Sequence, residues 1–470
     1  MKLLLPLQSL LGSAPYAVHS LPELEEPIRA ELFGIERLEE HAQSLAAAQR
    51  ITTASRRGRR LLPRLEDNGR VLLESYRAIA RAIREERAII PAAEWLVDNF
   101  HIVEEQLRES RDDLPSGYYR ELPKLAEGHL EGYPRVFGLA WAFVAHTDSR
   151  FDPETFRRFV RAYQRVQPLT IGELWAVAIT LRIVLVENLR RLAERIVRGR
   201  AARQEADALA DELLGLGGRP ADPAASVLRR FEGAPLATAF AVQLVQRLRD
   251  QDPSVTPALL WLDARLAAQG TTAEKIVRVE HQRQAAMNVT VRNVITSMRL
   301  MSALDWREFF ESVSLVDEVL RADADFAAMD FATRDRYRHA IEELSRGSGR
   351  SELDVTRRAV LEAKRARLEP PPKPLSCPGI GEKTPATTCS REGVRPSRSR
   401  SASAFPQSAG FFAPTWPGRH PRTSERSRSS PGSSSPCPFS RRANREWAWR
   451  VWSCSGCSLS SPPRTWRSRW

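Results

Sequence analysis

Cysteine is absent from the first 370 of the 470 residues, because all five cysteines lie in the last 100. The first part can therefore contain neither a disulfide nor a thiolate metal site. A run of 18 or more apolar residues is also absent, so no segment is predicted to span a bilayer. The nearest candidate, Leu174–Val186, is interrupted by Arg182 and followed by Glu187. Its length and charges predict a buried core helix.

Sequence signatures of common sites are missing too, including G-x-x-x-x-G-K-[ST], G-x-G-x-x-G, H-E-x-x-H and G-x-S-x-G. Cys454 and Cys457 have the spacing of a redox or zinc pair, but no second pair accompanies them, which favours coincidence. Asp-x-Asp, a metal-holding motif in many sugar transferases, occurs at Asp250–Asp252 and Asp323–Asp325. Both pairs lie at predicted helix ends, where Asp is a common cap. No cofactor or metal site is therefore assigned to this chain.

The two parts of the chain differ in charge. The first 370 residues hold 54 basic and 54 acidic residues, whereas the last 100 hold 17 basic and 4 acidic ones. The last 100 also contain 21 Ser, 15 Pro and only five Leu, Ile and Val residues. Such a segment buries too little apolar surface to offset the entropy of ordering, so residues 371–470 are predicted to be disordered. The balanced charge of the first part predicts no specific nucleic-acid partner there.

Two interpretations of this Arg/Ser/Pro-rich tail remain open. Its arginines could bind RNA, with Trp447, Trp449 and Trp452 as stacking platforms, although no folded module accompanies them. Arg, Ser, Pro, Trp and Cys without Asp, Tyr or Met is also the composition that a frameshifted, out-of-frame translation of GC-rich DNA gives. The frameshift is the leading account.

Helical signals dominate from Pro27 to about Arg367. The predicted helix starts are Pro91, Asp152-Pro153, capping boxes at Thr170–Glu173 and Thr271–Glu274, Asp330 and Ser351. The helix from Asp330 is predicted to end at Gly347. Strand-like alternation is best at Val289–Ile295, which lies between helical stretches.

The sequence therefore predicts an all-α fold, a multi-helix, bundle-like scaffold. Its predicted divisions are a flexible N-terminus (1–25), a helical domain (26–214), a second helical region (224–368) and the disordered tail (371–470).

Two polar clusters are candidates for chemistry. The first places three carboxylates and an imidazole at helical spacing: Glu94, Asp98, His101 and Glu105. Such a face suits acid–base work or metal binding. The second cluster contains His146 and Asp148. A solvated helix face and a helix–helix loop are the favoured interpretations, because no second element is known to approach either cluster.

Seven blocks between residues 25 and 368 resemble one family, the cyclic β-1,2-glucan synthases of bacteria. They are PIRAELFGIERLEEHAQSLAAAQ from Pro27, AAEWLVDNFHIVEEQLRE from Ala92, GYYRELPKLAEG from Gly117, GLAWAFVAHTDSRFDP from Gly138, VQPLTIGELWAVAITLRIVLVENLRRLAERI from Val166, NVITSMRLMSALDWREFFESVSLV from Asn293 and MDFATRDRYRHAIEELSRGSGRSE from Met329. The blocks follow in order without an evident gap, so the resemblance is specific.

The resemblance implies that the chain is related to very large inner-membrane enzymes. These enzymes use UDP-glucose and a divalent metal to build and cyclise a glucan. The resemblance assigns that chemistry to later, membrane-embedded transferase and phosphorylase-like parts. This chain resembles only the helical region before them and lacks the Q-x-x-R-W motif of the transferase part. No catalytic residue is therefore carried over. The implied partners are the remaining domains or copies of a synthase, and the implied location is the cytoplasm or the cytoplasmic face of the inner membrane.

Three hypotheses follow for the function. The first is a truncated synthase fragment whose helical region is a non-catalytic scaffold for assembly. The second is a stand-alone all-α carbohydrate-active enzyme that uses Glu94, Asp98, His101 and Asp148. The third is a protein that binds nucleic acid through its basic tail.

Overall fold

The computed structural model describes residues 24–52, 58–113, 118–216, 224–232, 235–249 and 256–368. Nearly all of the predicted flexible N-terminus, the whole predicted disordered tail and the pair Asp250–Asp252 lie outside the described residues.

Within these ranges the chain forms 17 α-helices, one 3₁₀ turn and two short strands. In chain order they are α1 (Ile35–Ala48), β1 (Ile51–Thr52), α2 (Leu61–Arg84), α3 (Pro91–Asp98), α4 (Phe100–Asp112), α5 (Tyr118–Glu121), β2 (Lys124–Leu125), α6 (Arg135–His146), α7 (Pro153–Gln164), α8 (Ile171–Leu213), α9 (Ala224–Leu228), the 3₁₀ turn (Arg229–Phe231), α10 (Thr238–Leu248), α11 (Thr256–Ala268), α12 (Ala273–Ala303), α13 (Trp306–Val313), α14 (Leu315–Leu320), α15 (Ala324–Ala328), α16 (Phe331–Ser348) and α17 (Glu352–Leu368). The strands pair antiparallel, Ile51 opposite Leu125 and Thr52 opposite Lys124. The predicted all-α fold is confirmed, and the strand-like Val289–Ile295 lies inside α12.

Several helices begin where the sequence predicts. The Asp152 carboxylate accepts a hydrogen bond from the Thr155 N–H at 2.8 Å, in front of the first-turn proline of α7. At α8 the Glu173 N–H donates to the Thr170 hydroxyl at 3.1 Å, and the Thr170 N–H donates to the Glu173 carboxylate at 3.0 Å. This reciprocal pair is the predicted capping box.

Two predicted helix boundaries are wrong by one or two residues. Thr272, rather than Thr271, caps α12 and accepts from the Lys275 N–H at 3.3 Å. Thr271 is not the cap because its N–H donates to the Leu266 carbonyl at the end of α11. The end of α16 is formed by Gly349 rather than Gly347, since the left-handed conformation that closes the helix, φ 69°, occurs at Gly349.

The 43-residue helix α8 is the axis of the fold, about 65 Å long at 1.5 Å per residue. It packs most extensively against α2, α6 and α10. Almost every residue from Ile171 to Val197 is buried, Arg182 included, which confirms the prediction of a buried core helix at Leu174–Val186. Among the described residues, no helix is long and apolar enough to cross a membrane.

Buried apolar side chains form two clusters. The main cluster combines residues between Ile28 and Val197 with residues between Val291 and Val355. The satellite cluster contains residues between Ala202 and Ile276. They belong mainly to the second half of α8, to α9, α10 and α11, and to the start of α12. The long helices α8 and α12 thus contribute to both clusters. The predicted division into a helical domain (26–214) and a second helical region (224–368) stays a prediction. Each of the two buried clusters contains residues from both of these predicted parts.

Candidate functional site

The first polar cluster lies on two helices rather than one. The helix is interrupted at Asn99, where α3 ends and α4 begins. The Asn99 side-chain amide donates a hydrogen bond to the Trp95 carbonyl at 2.9 Å. The apolar residues Leu96 and Val103 point into the core on the opposite side.

The four polar residues of this cluster face water. Glu94, Asp98 and His101 are exposed, and Glu105 is partly exposed with Arg108 at 3.9 Å. Within the described ranges, no hydrogen bond or ion pair joins any two of the four. They therefore form a solvated face.

The second cluster forms a tight corner between α6 and α7. Asp148 and Ser149 adopt the left-handed conformation, with φ of 50° and 62°. The buried Asp148 carboxylate accepts from the Thr290 hydroxyl at 2.7 Å and lies 3.5 Å from the Arg29 guanidinium. The Asn293 amide donates to the Asp148 backbone carbonyl at 3.1 Å. The Asp148 side chain thus holds α12 and the N-terminal segment against the corner.

The neighbouring Ser149 has a similar role. Its hydroxyl accepts from the Asn188 amide of α8 at 2.8 Å, and its carbonyl accepts from the Ser297 hydroxyl of α12 at 2.8 Å. The same Asn188 side chain accepts from the Ile28 N–H at 2.7 Å. The corner therefore joins three parts of the chain through hydrogen bonds.

His146 is part of an aromatic group instead. Its ring stacks on Phe33 with centroids 4.0 Å apart and lies 4.4 Å from the His41 ring. Its Nδ1–H donates to the Glu31 carbonyl at 2.7 Å, since a carbonyl can only accept. Burial, and then the neighbouring His146, lower the pKa of His41. His146 and Asp148 thus bond to different partners.

The pair Asp323–Asp325 lies at a helix start, as the sequence predicts. The Asp323 carboxylate accepts from the Asp325 N–H at 3.0 Å and so caps α15. In the part of the chain that the structure describes, no group of three or more His, Cys, Asp or Glu side chains is arranged to hold a metal ion.

Sequence reasoning missed a buried charge network centred on Glu187 of α8. Its carboxylate, 1% exposed, accepts from the Arg64 Nη2 at 2.7 Å and the Asn68 amide at 2.7 Å. Arg190 and Arg191, one turn further along α8, donate to it at 3.1 and 2.9 Å. The sequence did contain a signal for this network. It is the charged pattern Glu-x-x-Arg-Arg, which directly follows a largely apolar stretch.

The electrostatics of Glu187 follow from this geometry. Burial alone would raise the pKa of Glu187, but the charges of Arg64, Arg190 and Arg191 and the Asn68 hydrogen bond lower it to about 2. A carboxylate with such a pKa stays ionised near neutral pH, whereas a general acid or base is most effective when its pKa lies near the operating pH. Glu187 is therefore a structural charge.

Two further ion pairs are buried in the same way. Arg135 of α6 and Glu173 of α8 pair at 2.5 Å, with the arginine 3% and the glutamate 0% exposed. Arg338 of α16 and Asp317 of α14 pair at 2.7 Å, both with 0% exposure. Each links helices that are distant in sequence, and Arg135 donates further to the Gln167 side chain.

Comparison with known proteins shows that the chain is similar in sequence to a much longer protein. No family model matches the chain. The chain is 40% identical over 321 residues to the cyclic beta-(1,2)-glucan synthase NdvB of Rhizobium meliloti (strain 1021). The alignment covers 68% of this chain and 11% of that relative, so the chain spans only about a tenth of the relative's length.

Proposed function

Since the chain belongs, as a segment, to the cyclic β-1,2-glucan synthase family, we propose that its helical part is a non-catalytic scaffold of such a synthase. The parent reaction is then the synthesis and cyclisation of β-1,2-glucan from UDP-glucose, carried out by other parts. The scaffold supports assembly with those remaining domains or with further copies, at the cytoplasmic face of the inner membrane.

The observation that carries this proposal is that buried carboxylates form ion pairs between separate helices. Glu173, Glu187 and Asp317 each bind one or more arginines, and all three join separate helices. Removing one partner of such a pair costs several kcal/mol, because it leaves an uncompensated buried charge. Groups of this kind stabilise one arrangement of helices.

The stand-alone enzyme is less well supported. Its proposed residues Glu94 and Asp98 are exposed on α3 and His101 is exposed on α4, and Asp148 is fully engaged in the α6–α7 corner. Catalytic acids and bases are normally found in clefts that exclude water and shift their pKa values. The nucleic-acid alternative rests on the tail, which lies outside the described residues.

An assay of transfer by the chain itself tests the non-catalytic part of the proposal. Purified chain with UDP-glucose and Mg²⁺ or Mn²⁺ should release no more UDP than a control without protein. Release of UDP that is lost on Asp323→Ala or on Glu94→Gln would contradict the proposal and make the chain a transferase.

Complementation in trans tests the scaffold part. A relative such as the Rhizobium meliloti synthase, with its matching segment deleted, should regain glucan synthesis when this chain is supplied as a separate polypeptide. The variant Glu187→Gln should fail to restore synthesis, whereas the matched surface variant Glu94→Gln should restore it. Equal restoration by both variants, or no restoration by the unaltered chain, would refute the scaffold role.

A further inference from the structure

A groove of about 500 Å³ lies beside the C-terminal half of α2. Its lining combines guanidinium groups with apolar side chains: Tyr76, Arg77, Ala80, Arg81, Ile83, Arg84 and Val97. The three arginines follow at i, i+4 and i+7, so they lie on one helix face and all are exposed. The groove therefore has one strongly basic side.

Further arginines converge on this end of α2 from other elements. Arg200 of α8 donates to the Ala78 carbonyl at 3.2 Å. Arg87 and Arg200 both donate to the side-chain oxygen of Gln204, at 2.6 and 3.1 Å, in the amide orientation that gives each a partner. Burial, and then the charges of Arg87, Arg203 and Arg81, lower the pKa of Arg200, although the charge of Glu85 opposes this shift. Like charges are thus concentrated here.

The carboxylates among the described residues neutralise this concentration only in part, since Glu85 acts on Arg200 without pairing with it. Within the described ranges, no carboxylate lies within 4 Å of Arg77, Arg81, Arg84 or Arg200, and the adjacent Glu85 pairs with Arg87 at 3.2 Å. Like charges one helical turn apart repel each other, so this arrangement destabilises α2.

The helix dipole explains only part of the pattern. Cations in the last turn of a helix complement its dipole, and Arg81 and Arg84 lie there. That argument does not extend to Arg77, which lies further back in α2, or to Arg200, which belongs to α8.

A second groove on α7 provides the contrast within the same molecule. It is lined by Glu39, Arg157, Arg158, Arg161 and Arg165. Every one of these arginines is paired, as Arg157–Glu154, Arg158–Glu39, Arg161–Glu318 and Arg165–Glu39. Three arginines on one helix and a fourth directly after it therefore do not by themselves leave a site charged, and the α2 groove differs because its arginines lack carboxylate partners among the described residues.

We propose that the α2 groove binds a phosphate-bearing anion through Arg77, Arg81 and Arg84. Guanidinium forks match phosphate oxygens in geometry and form charge-assisted hydrogen bonds with them. Ile83, 42% exposed at the groove, offers an apolar surface to the rest of such a ligand. A soluble phosphate compound and a phospholipid headgroup share this chemistry.

The experiment uses the full chain and two triple variants. R77Q/R81Q/R84Q removes the groove charges, and R157Q/R161Q/R165Q removes three arginines from the paired groove on α7. Both variants keep the basic tail and have the same net charge. The probes are inorganic pyrophosphate, followed by calorimetry, and vesicles with and without phosphatidylglycerol in phosphatidylcholine, followed by co-sedimentation at physiological salt.

We expect the α2 variant to lose at least about tenfold in affinity for one of the probes, because each lost charge-assisted hydrogen bond contributes more than the energy of a tenfold change. The α7 variant should change by less than about twofold. Loss for pyrophosphate alone identifies a soluble phosphate ligand, and loss for vesicles alone identifies a headgroup. A loss for both probes supports the shared chemistry.

Equal losses in the two variants would overturn the proposal, since the tail and overall charge would then explain the binding. Unchanged affinity in the α2 variant, or no binding of either probe by the unaltered chain, would overturn it as well. Urea unfolding without phosphate verifies the fold: the α2 variant should unfold at nearly the same urea concentration as the unaltered chain, because the lost dipole interaction of Arg81 and Arg84 offsets the removed like-charge repulsion.

Discussion

Carboxylates of α8 and of α3 occupy opposite environments in the same molecule. Glu173 and Glu187 are almost completely buried and bound to arginines from other helices, whereas Glu94 and Asp98 are exposed. The first pair stabilises the arrangement of helices, and the second mainly keeps a surface hydrated. The difference teaches that a carboxylate on a regular helix acquires its role from the elements packed against it, and its spacing in sequence does not reveal that role.

The strongest test of this comparison is the substitution Glu187→Gln. It leaves the charges of Arg64, Arg190 and Arg191 without their common partner, and the last two are largely buried. We expect the free energy of unfolding to fall by about 3 kcal/mol or more. Urea denaturation followed by circular dichroism measures the change. A loss below about 1 kcal/mol would show that the network contributes little.

An intermediate effect is expected from pH at the start of α17. The Glu352 carboxylate accepts from the Ile171 N–H at 2.7 Å. Burial first, and then the nearby Glu342 and Glu173, raise the pKa of Glu352 to about 7. Because the folded state binds this proton more tightly than the unfolded state, stability contributed by Glu352 is present below its ordinary pKa and is lost as the pH rises through about 7.

Between about pH 5 and pH 8 the unaltered chain should therefore lose roughly 2 kcal/mol more stability than the variant Glu352→Gln. The exposed Glu362 of the same helix, which pairs with Arg365 at 3.0 Å, provides the control. Urea midpoints at the two pH values are the measurement. If Glu362→Gln shifts the pH dependence as much as Glu352→Gln does, the effect does not come from the buried carboxyl.

The smallest effect is expected from the exposed face itself. The triple variant Glu94→Gln, Asp98→Asn and His101→Gln should change the free energy of unfolding by less than about 0.5 kcal/mol, as is usual for solvated surface residues. The same urea measurement decides it. A loss approaching that of Glu187→Gln would mean that these side chains have a partner that covers them, which would remove the contrast between the two regions.

The sequence by itself determined the helical class and many helix starts, because these depend on contacts within a few residues. Proline in the first turn of α3, the Asp152 cap and the Thr170–Glu173 capping box could be predicted for this reason. Boundaries that depend on the preceding element, such as Thr272 in place of Thr271, were missed by a residue or two. The family resemblance was also available from the sequence, since it rests on the order of residues alone.

Only the tertiary structure decided which charges are buried. Glu187 and Arg64 are 123 residues apart, and Arg338 reaches Asp317 only because α14 and α16 both pack against α17. The tertiary structure equally decided that Arg158 and Arg161 of α7 pair with carboxylates of other helices, while the arginines at the end of α2 have no such pair among the described residues. Burial and long-range pairing depend on which helix faces meet, and the helical period of a sequence does not encode that choice.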